Sequence, residues 1–236
     1  MKIVALIPAR GGSKGLIDKN IKSYRGKPLI YYSINLAKYC KYITDIVVTT
    51  DYDNIKEVAL KYGARVPFKR PSEISQDLSR DEEFIDHYLN WTRQNEPENM
   101  PDLIVQLRPT YPNRRLNVLD FCIEIMMKNP SFTSLRTVTE YDKSPFKMYT
   151  IGDRLIPLFE KVDGLNEPYN RCRQELPKTY LHNGYIDIIR VKSYFEQKSI
   201  TGNMIYPYIM DKNEVDDIDN EIDWCRSEAN SFSMTF

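Results

Sequence analysis

Three continuous apolar runs, spaced by amphipathic stretches, limit the architectures open to this chain. Residues 3–7 (IVALI) stop at Pro8, residues 46–50 (IVVTT) stop at Asp51, and residues 103–107 (LIVQL) stop before Arg108. Short runs without polar alternation are what strands buried on both faces require. Between them, residues 28–42 place Leu29, Ile30, Ile34 and Ala37 at helical spacing beside Tyr31 and Tyr32. Residues 53–62 read as a second helix closed by Gly63, and residues 118–127 as a third. Strand and helix alternating at this spacing imply right-handed βαβ units, a mostly parallel sheet and an α/β fold.

The second half is less regular. Residues 136–180 are rich in Pro, Lys, Tyr, Asp and Asn with weak periodicity, and read as an inserted arm or flap within one domain spanning 1–236. A strand is expected over 185–191, a short helix over 192–197 and a closing helix over 222–231. The 33 basic and 33 acidic residues cancel, which argues against a general nucleic-acid binder. No stretch reaches the roughly 18 apolar residues of a membrane span, and the opening run reads as a core strand, not a leader. Four scattered cysteines without a CxxC pair fit free thiols in a reducing cytoplasm. Two histidines, His87 and His182, leave little for a zinc site or a histidine-based triad.

The loop after the first strand carries the most chemistry: Pro8-Ala9-Arg10-Gly11-Gly12-Ser13-Lys14-Gly15, then Lys19-Asn20. In open α/β sheets ligands sit beyond the carboxyl ends of the strands, where this loop lies. Its glycines let backbone N–H groups turn inward, and Arg10, Lys14 and Lys19 concentrate positive charge as a triphosphate needs. Neither GxxxxGK[ST] nor GxGxxG is present, so the common phosphate-loop and dinucleotide fingerprints are excluded.

PARGGSKG…KN closely resembles the opening motif of the sugar-activating cytidylyltransferases, the acylneuraminate branch more than the CMP-KDO branch. The likeness continues in order through Thr49-Thr50-Asp51, Phe68-Lys69-Arg70-Pro71, Gln76-Asp77, Arg173-Gln174-Glu175-Leu176-Pro177, His182-Asn183-Gly184 and Asp217-Ile218-Asp219 with Asp223. It implies a three-layer Rossmann-like nucleotidyltransferase fold with an inserted dimerisation arm. The implied reaction is transfer from CTP to a 2-keto acid sugar of the nonulosonic kind, in a cytoplasmic homodimer without nucleic-acid or membrane partners.

The same resemblance implies the site. Ala9, Arg10, Gly11, Gly12, Ser13, Lys14, Lys19, Asn20, Arg70 and Arg108 would bind nucleotide, with Lys19, Arg10 and Asp219 catalytic. Arg173, Gln174 and Asn183 would bind sugar, and Arg173 would serve either its own or the partner's site. Asp217 and Asp219 would ligate Mg²⁺, with Mn²⁺ as the alternative; carboxylates at i and i+2 of an extended segment share a face. An acidic solvated loop is the competing reading of residues 211–223, and Glu214 and Asp216 are expected to be such background. His182 is expected to pack or orient.

Two departures matter. Arg108 stands where the family has glutamine; arginine can only donate, so it suits guanine O6 and N7 and raises GTP as an alternative nucleotide. Tyr111 and Tyr185 replace smaller residues, which predicts a bulkier, more aromatic pocket. A degenerate binding module without catalysis is disfavoured because Arg10, Lys19, Asp217 and Asp219 are all retained. The zero net charge is also unevenly spread. Residues 1–30 hold seven Lys or Arg against Asp18, and residues 211–223 hold seven Asp or Glu against Lys212.

Overall fold

The structure, a computed structural model, describes residues 1–230. Six strands form one sheet: β1 (Ile3–Pro8), β2 (Asp45–Thr49), β3 (Leu103–Gln106), β4 (Ser134–Glu140), β5 (Tyr180–Arg190) and β6 (Ile205–Met210). Their spatial order is β6-β4-β5-β3-β1-β2. β1 pairs in parallel with β2 and β3, and β6 with β4, while β5 runs antiparallel to both neighbours. The sheet is therefore mostly parallel, as the βαβ pattern requires.

Among the described residues there are six α-helices: α1 (Leu29–Tyr39), α2 (Asp53–Lys61), α3 (Asp81–Asn95), α4 (Leu116–Lys128) and α5 (Val191–Gln197), which cover the sheet, and α6 (Glu221–Ala229). Alternate side chains of β1 enter opposite cores. Ile3, Ala5 and Ile7 pack with α1, α2 and α4; Val4 and Leu6 pack with α3 and α5. Helix, sheet and helix make the three layers.

α3, β4 and β6 are absent from the expectations above. α3 carries a legible amphipathic face in Phe84, Ile85, Tyr88 and Leu89, and the Glu83 carboxylate accepts the Arg80 N–H at 2.8 Å to start it. The arm is also shorter than 136–180, because residues 136–140 belong to β4 and residue 180 opens β5. The β-branched Thr137, Val138 and Thr139 find their partners only across the sheet, in β5 and β6. What remains, residues 141–179, holds two small hairpins, Tyr149–Ile151 with Leu155–Pro157 and Lys161–Val162 with Leu165–Asn166. The closing helix ends at Ala229; Ser231, where it was expected to stop, lies outside the described residues.

A third, smaller core has the greater bearing on the site. Leu16 of the basic loop and Ile218 of the acidic segment are buried together with Tyr24, Leu29, Tyr32 and Trp224. Burial of each such aliphatic side chain contributes roughly 1.5–3 kcal/mol. The two oppositely charged poles, about 200 positions apart in sequence, are thus joined by apolar packing between their charged residues.

Candidate active site

The carboxyl ends of β1 and β3 open into a cavity of about 510 Å³. Arg10, Ser13, Lys14, Gly15, Lys19 and Asn20 line it from the first loop, and Arg70, Gln76, Asp77 and Ser79 from the segment after β2. Asp81, Phe84, Arg108, Pro109, Thr110 and Asp219 complete the wall. Most of the polar residues that the motif singles out are therefore in one place.

The first loop is shaped from within. The Asn20 amide donates to the Arg10 carbonyl at 2.9 Å, closing the loop on itself. The Ala9 N–H donates to the Thr49 carbonyl at 3.0 Å and the Gly11 N–H to Asp51 Oδ1 at 2.9 Å. Ala9, Gly11 and Gly12, expected among the nucleotide-binding residues, do not line the cavity. Two of those donors are used to hold the loop against the end of β2. Gly11 is needed for a steric reason instead: a Cβ there would lie 2.1 Å from the Tyr52 ring. At Gly15 a Cβ would meet the Asp219 carbonyl at 2.3 Å, so only glycine lets the two poles approach this closely.

The charged groups meet across that contact. Lys19 Nζ donates to the Ile218 carbonyl at 2.8 Å and stands 3.3 Å from Asp219 Oδ1, with its side chain 13% exposed. Asp219 is held in turn by its N–H, which donates to Asp223 Oδ2 at 3.2 Å; the Asn220 side chain caps α6 through the N–H groups of Ile222 and Asp223. Arg10 and Lys14 both engage Asp77, the former at 2.8 Å. Lys14 and then Arg10 hold the Asp77 carboxyl below its usual range. Arg70 is buried, donates Nη2 to the Thr49 carbonyl at 2.5 Å and lies over the Phe84 ring; burial pushes its pKa down to about 10.

The carboxylate pair fits a divalent cation in part. Asp219 faces the cavity, whereas Asp217 is half-buried with Oδ1 lacking a hydrogen-bond partner. Burial, opposed by hydrogen bonds from Thr110 and Tyr111, raises the Asp217 carboxyl above its ordinary range, and the nearby Asp219 charge adds to the rise. A partly buried carboxylate with one unpartnered oxygen, near a second carboxylate, would be relieved by a cation. Among the described residues no cluster of three or more potential ligands exists, so phosphate oxygens and water would supply the remaining ligands.

Several expectations are corrected by the packing. Asp216 is not solvated background: it is 6% exposed and accepts from Asn113 Nδ2 at 3.1 Å. Glu214 is a half-exposed partner of Arg115 at 2.7 Å. Tyr111 and Tyr185 do not crowd the cavity; they are buried and flank Arg114, whose guanidinium lies 5.1 and 5.7 Å from their rings. Arg114 donates to the Arg108 and Tyr111 carbonyls at 2.7 and 3.0 Å, to Ser33 Oγ at 3.1 Å and to the Tyr185 carbonyl, and burial pushes its pKa down to about 10. It clamps the loop that presents Arg108 and Thr110.

Arg108 has a different task from the guanine contact expected of it. Its guanidinium is taken by Asp187 at 2.7 Å and by Asp81. Burial works against its charge, but these two carboxylates outweigh it and raise the pKa. His182 does orient, through Nε2 to Asp187 Oδ1 at 2.7 Å. Asp187 and Asp81 were missed because the pairing of β5 with β3 and the start of α3 bring them to Arg108.

The expected sugar residues are not brought to the cavity. Arg173 is exposed and pairs with Asp142 at 3.0 Å, and Gln174 shares its exposed turn. Asn183 serves the irregularity in β5: Oδ1 accepts from Thr137 at 2.6 Å and from the Tyr185 N–H at 3.1 Å, and its carbonyl accepts from Tyr111. Gly184 beside it has φ +70°, which favours glycine. All four cysteines are free, and no helix among the described residues is long and apolar enough to cross a membrane.

Comparison with known proteins shows the family and the fold. The cytidylyltransferase family profile matches residues 4–147. The chain is 30% identical over 223 residues to the N-acylneuraminate cytidylyltransferase of Escherichia coli O18:K1:H7, covering 94% of this chain but about half the length of that relative. It is 32% identical over 231 residues to the CMP-N,N'-diacetyllegionaminic acid synthase of Legionella pneumophila, covering 97% of this chain and 95% of the relative. In three dimensions it resembles CMP:2-keto-3-deoxy-manno-octonic acid synthetase solved with CTP, at a TM-score of 0.67 and 17% identity over 97% and 98% of the two chains. That last likeness concerns the fold.

Proposed function

This chain belongs to the cytidylyltransferase family, and from that premise we propose that it transfers a cytidylyl group from CTP to the anomeric hydroxyl of a 2-keto acid sugar. The product is the CMP-sugar and the leaving group is pyrophosphate. The observation that carries this reading is the single cavity in which Arg10, Lys14, Lys19 and Arg70 face Asp219. The names of the relatives support CTP over GTP.

In this mechanism the protein positions phosphates and neutralises charge as it develops. Arg10 and Lys14 exchange the Asp77 carboxylate for phosphate oxygens when the triphosphate enters. Lys19, held by the Ile218 carbonyl, stays aimed where charge accumulates on departing pyrophosphate. Arg70, fixed by Thr49, is a cation lining the cavity. Asp217 and Asp219 would hold a divalent ion, Mg²⁺ or Mn²⁺, which supplies further charge neutralisation when bound.

The exposed apolar side chains of residues 141–179 support a homodimer in which this arm packs on the neighbour and brings Arg173 and Gln174 to a sugar site. Free cysteines and the absence of a membrane-spanning helix among the described residues are compatible with a cytoplasmic enzyme. Pyrophosphate release measured with CTP, GTP, ATP and UTP against a panel of 2-keto acid sugars tests the reading. Turnover selective for CTP is expected; no turnover with any pair overturns it.

A further inference from the structure

Beyond the triphosphate loop, the cavity wall carries a guanidinium–carboxylate pair that the transfer chemistry leaves unused. Arg108, just past the end of β3, and Asp81, at the start of α3, both line the cavity. The guanidinium is anchored from behind: Nη1 donates to Asp187 Oδ2 at 2.7 Å and to the Gly184 carbonyl at 3.3 Å, and Nη2 donates to Asp81 Oδ2. Asp187 is only 5% exposed and takes His182 on its other oxygen, so this anchor is rigid. Gln106 Nε2 fixes Asp81 through the same Oδ2 at 2.9 Å.

Among the described residues, these bonds leave Arg108 Nε–H, one Nη2–H and Asp81 Oδ1 without a protein partner. A fixed donor and a fixed acceptor therefore stand side by side. The acidic segment is bonded to this wall, since the Ile218 N–H donates to the Thr110 carbonyl at 3.0 Å. Arg108 thus shares its wall with the acidic segment, while Arg70 and Ser79 contribute to the cavity from the segment after β2.

We propose that Asp81 and Arg108 form a specificity-determining pair that reads an acylamino substituent of the acceptor sugar, its N–H donating to Asp81 and its carbonyl accepting from Arg108. The proposal rests on the cytidylyl-transfer reading and deepens it. A carboxylate would suit Arg108 but be repelled by Asp81, and the O6 and N7 edge of guanine would place acceptors against that same carboxylate. An amide satisfies both, and a site built for such a group rejects the analogue that leaves its polar atoms unpaired. The names of two relatives specify N-acyl sugars, which share this chemistry.

The test uses the full chain, CTP, and two 2-keto acid sugars that differ only in acetamido against hydroxyl at one carbon. Wild type is expected to favour the acetamido sugar by about 10- to 100-fold in kcat/KM. Asp81→Asn and Arg108→Gln are expected to reduce that preference to within about 3-fold through the sugar KM, with the KM for CTP moving less than about 2-fold. Asp81→Asn carries the test if Arg108→Gln fails to fold, because Asp187 then keeps its arginine. An undiminished preference in Asp81→Asn, or a rise confined to the KM for CTP, overturns the proposal; the latter assigns the pair to the base. Wild-type turnover without discrimination overturns the proposal alone, whereas no wild-type turnover overturns the activity reading together with it.

Discussion

In the loop over residues 8–20 the groups that shape the backbone are tied to the frame, whereas over residues 141–179 apolar side chains stand in solvent. The loop is held by Asn20 on the Arg10 carbonyl, by Asp51 on the Gly11 N–H, and by Leu16 in the third core. The arm has two short hairpins, with Ile151 87% exposed and Leu155 62% exposed. Rigid attachment suits a backbone that must hold charged side chains at the mouth of a cavity. Exposed apolar surface on a two-stranded hairpin is marginal alone and gains from a covering partner. The difference separates a cavity-lining loop fixed within the chain from a segment whose apolar side chains are left uncovered.

Substitutions can break that contrast, and the largest effect is expected at the joined poles. Lys19→Ala or Asp219→Asn should lower kcat by about 100- to 1,000-fold, the scale of losing one preorganised charge-stabilising group. Steady-state pyrophosphate release measures it, and unchanged turnover in Asp219→Asn across a magnesium titration would remove that residue from the metal site. Next comes Arg114→Leu, which strands four acceptors in the interior beneath Arg108. Its cost should reach about 3 kcal/mol or more in urea unfolding. A shift under about 1 kcal/mol would mean that the loop is held by other contacts.

Gly15→Ala forces the basic loop away from the Asp219 carbonyl, since its Cβ would lie 2.3 Å from that oxygen. A fall of about 10- to 100-fold in kcat/KM is expected, of the size that a 1 Å misplacement produces, with little loss of thermal stability. At the arm, Ile151→Asp with Leu155→Asp should convert a dimer to a monomer in light scattering while changing unfolding by less than about 0.5 kcal/mol. A chain that is monomeric before substitution would sink the dimer proposal. The smallest effect is expected at Asp77. Asp77→Asn removes the carboxylate that competes for Arg10 and Lys14, and the KM for CTP should fall about 2- to 5-fold; a rise would show that Asp77 contacts the nucleotide favourably.

The contrast between loop and arm also marks what could be read in advance. The loop residues Arg10, Ser13, Lys14, Lys19 and Asn20 lie close in sequence behind a buried strand, so their convergence follows from one local turn. The first three strands were equally legible, because burial on both faces enforces unbroken apolar runs, and so were α1 and α2, whereas α3 was not. The arm's extent was not, since residues 136–140 alternate weakly and become a strand only by pairing with β5 and β6. Asp216 reads as one more surface acid among seven until Asn113 is found against it.

Sequence alone determined the fold class, the basic loop at the end of the first strand and the presence of two opposed charge poles, since each is a property of neighbouring residues. Tertiary structure decided how those poles meet. Leu16 and Ile218 share one small core, and Gly15 has no side chain to hold Asp219 off. It also decided the company of Arg108, which the pairing of β5 with β3 places against Asp187 and which the start of α3 places against Asp81. A pattern along the chain encodes which groups are available. Only packing between distant segments sets which of them face each other and at what distance, and electrostatics depends on that distance.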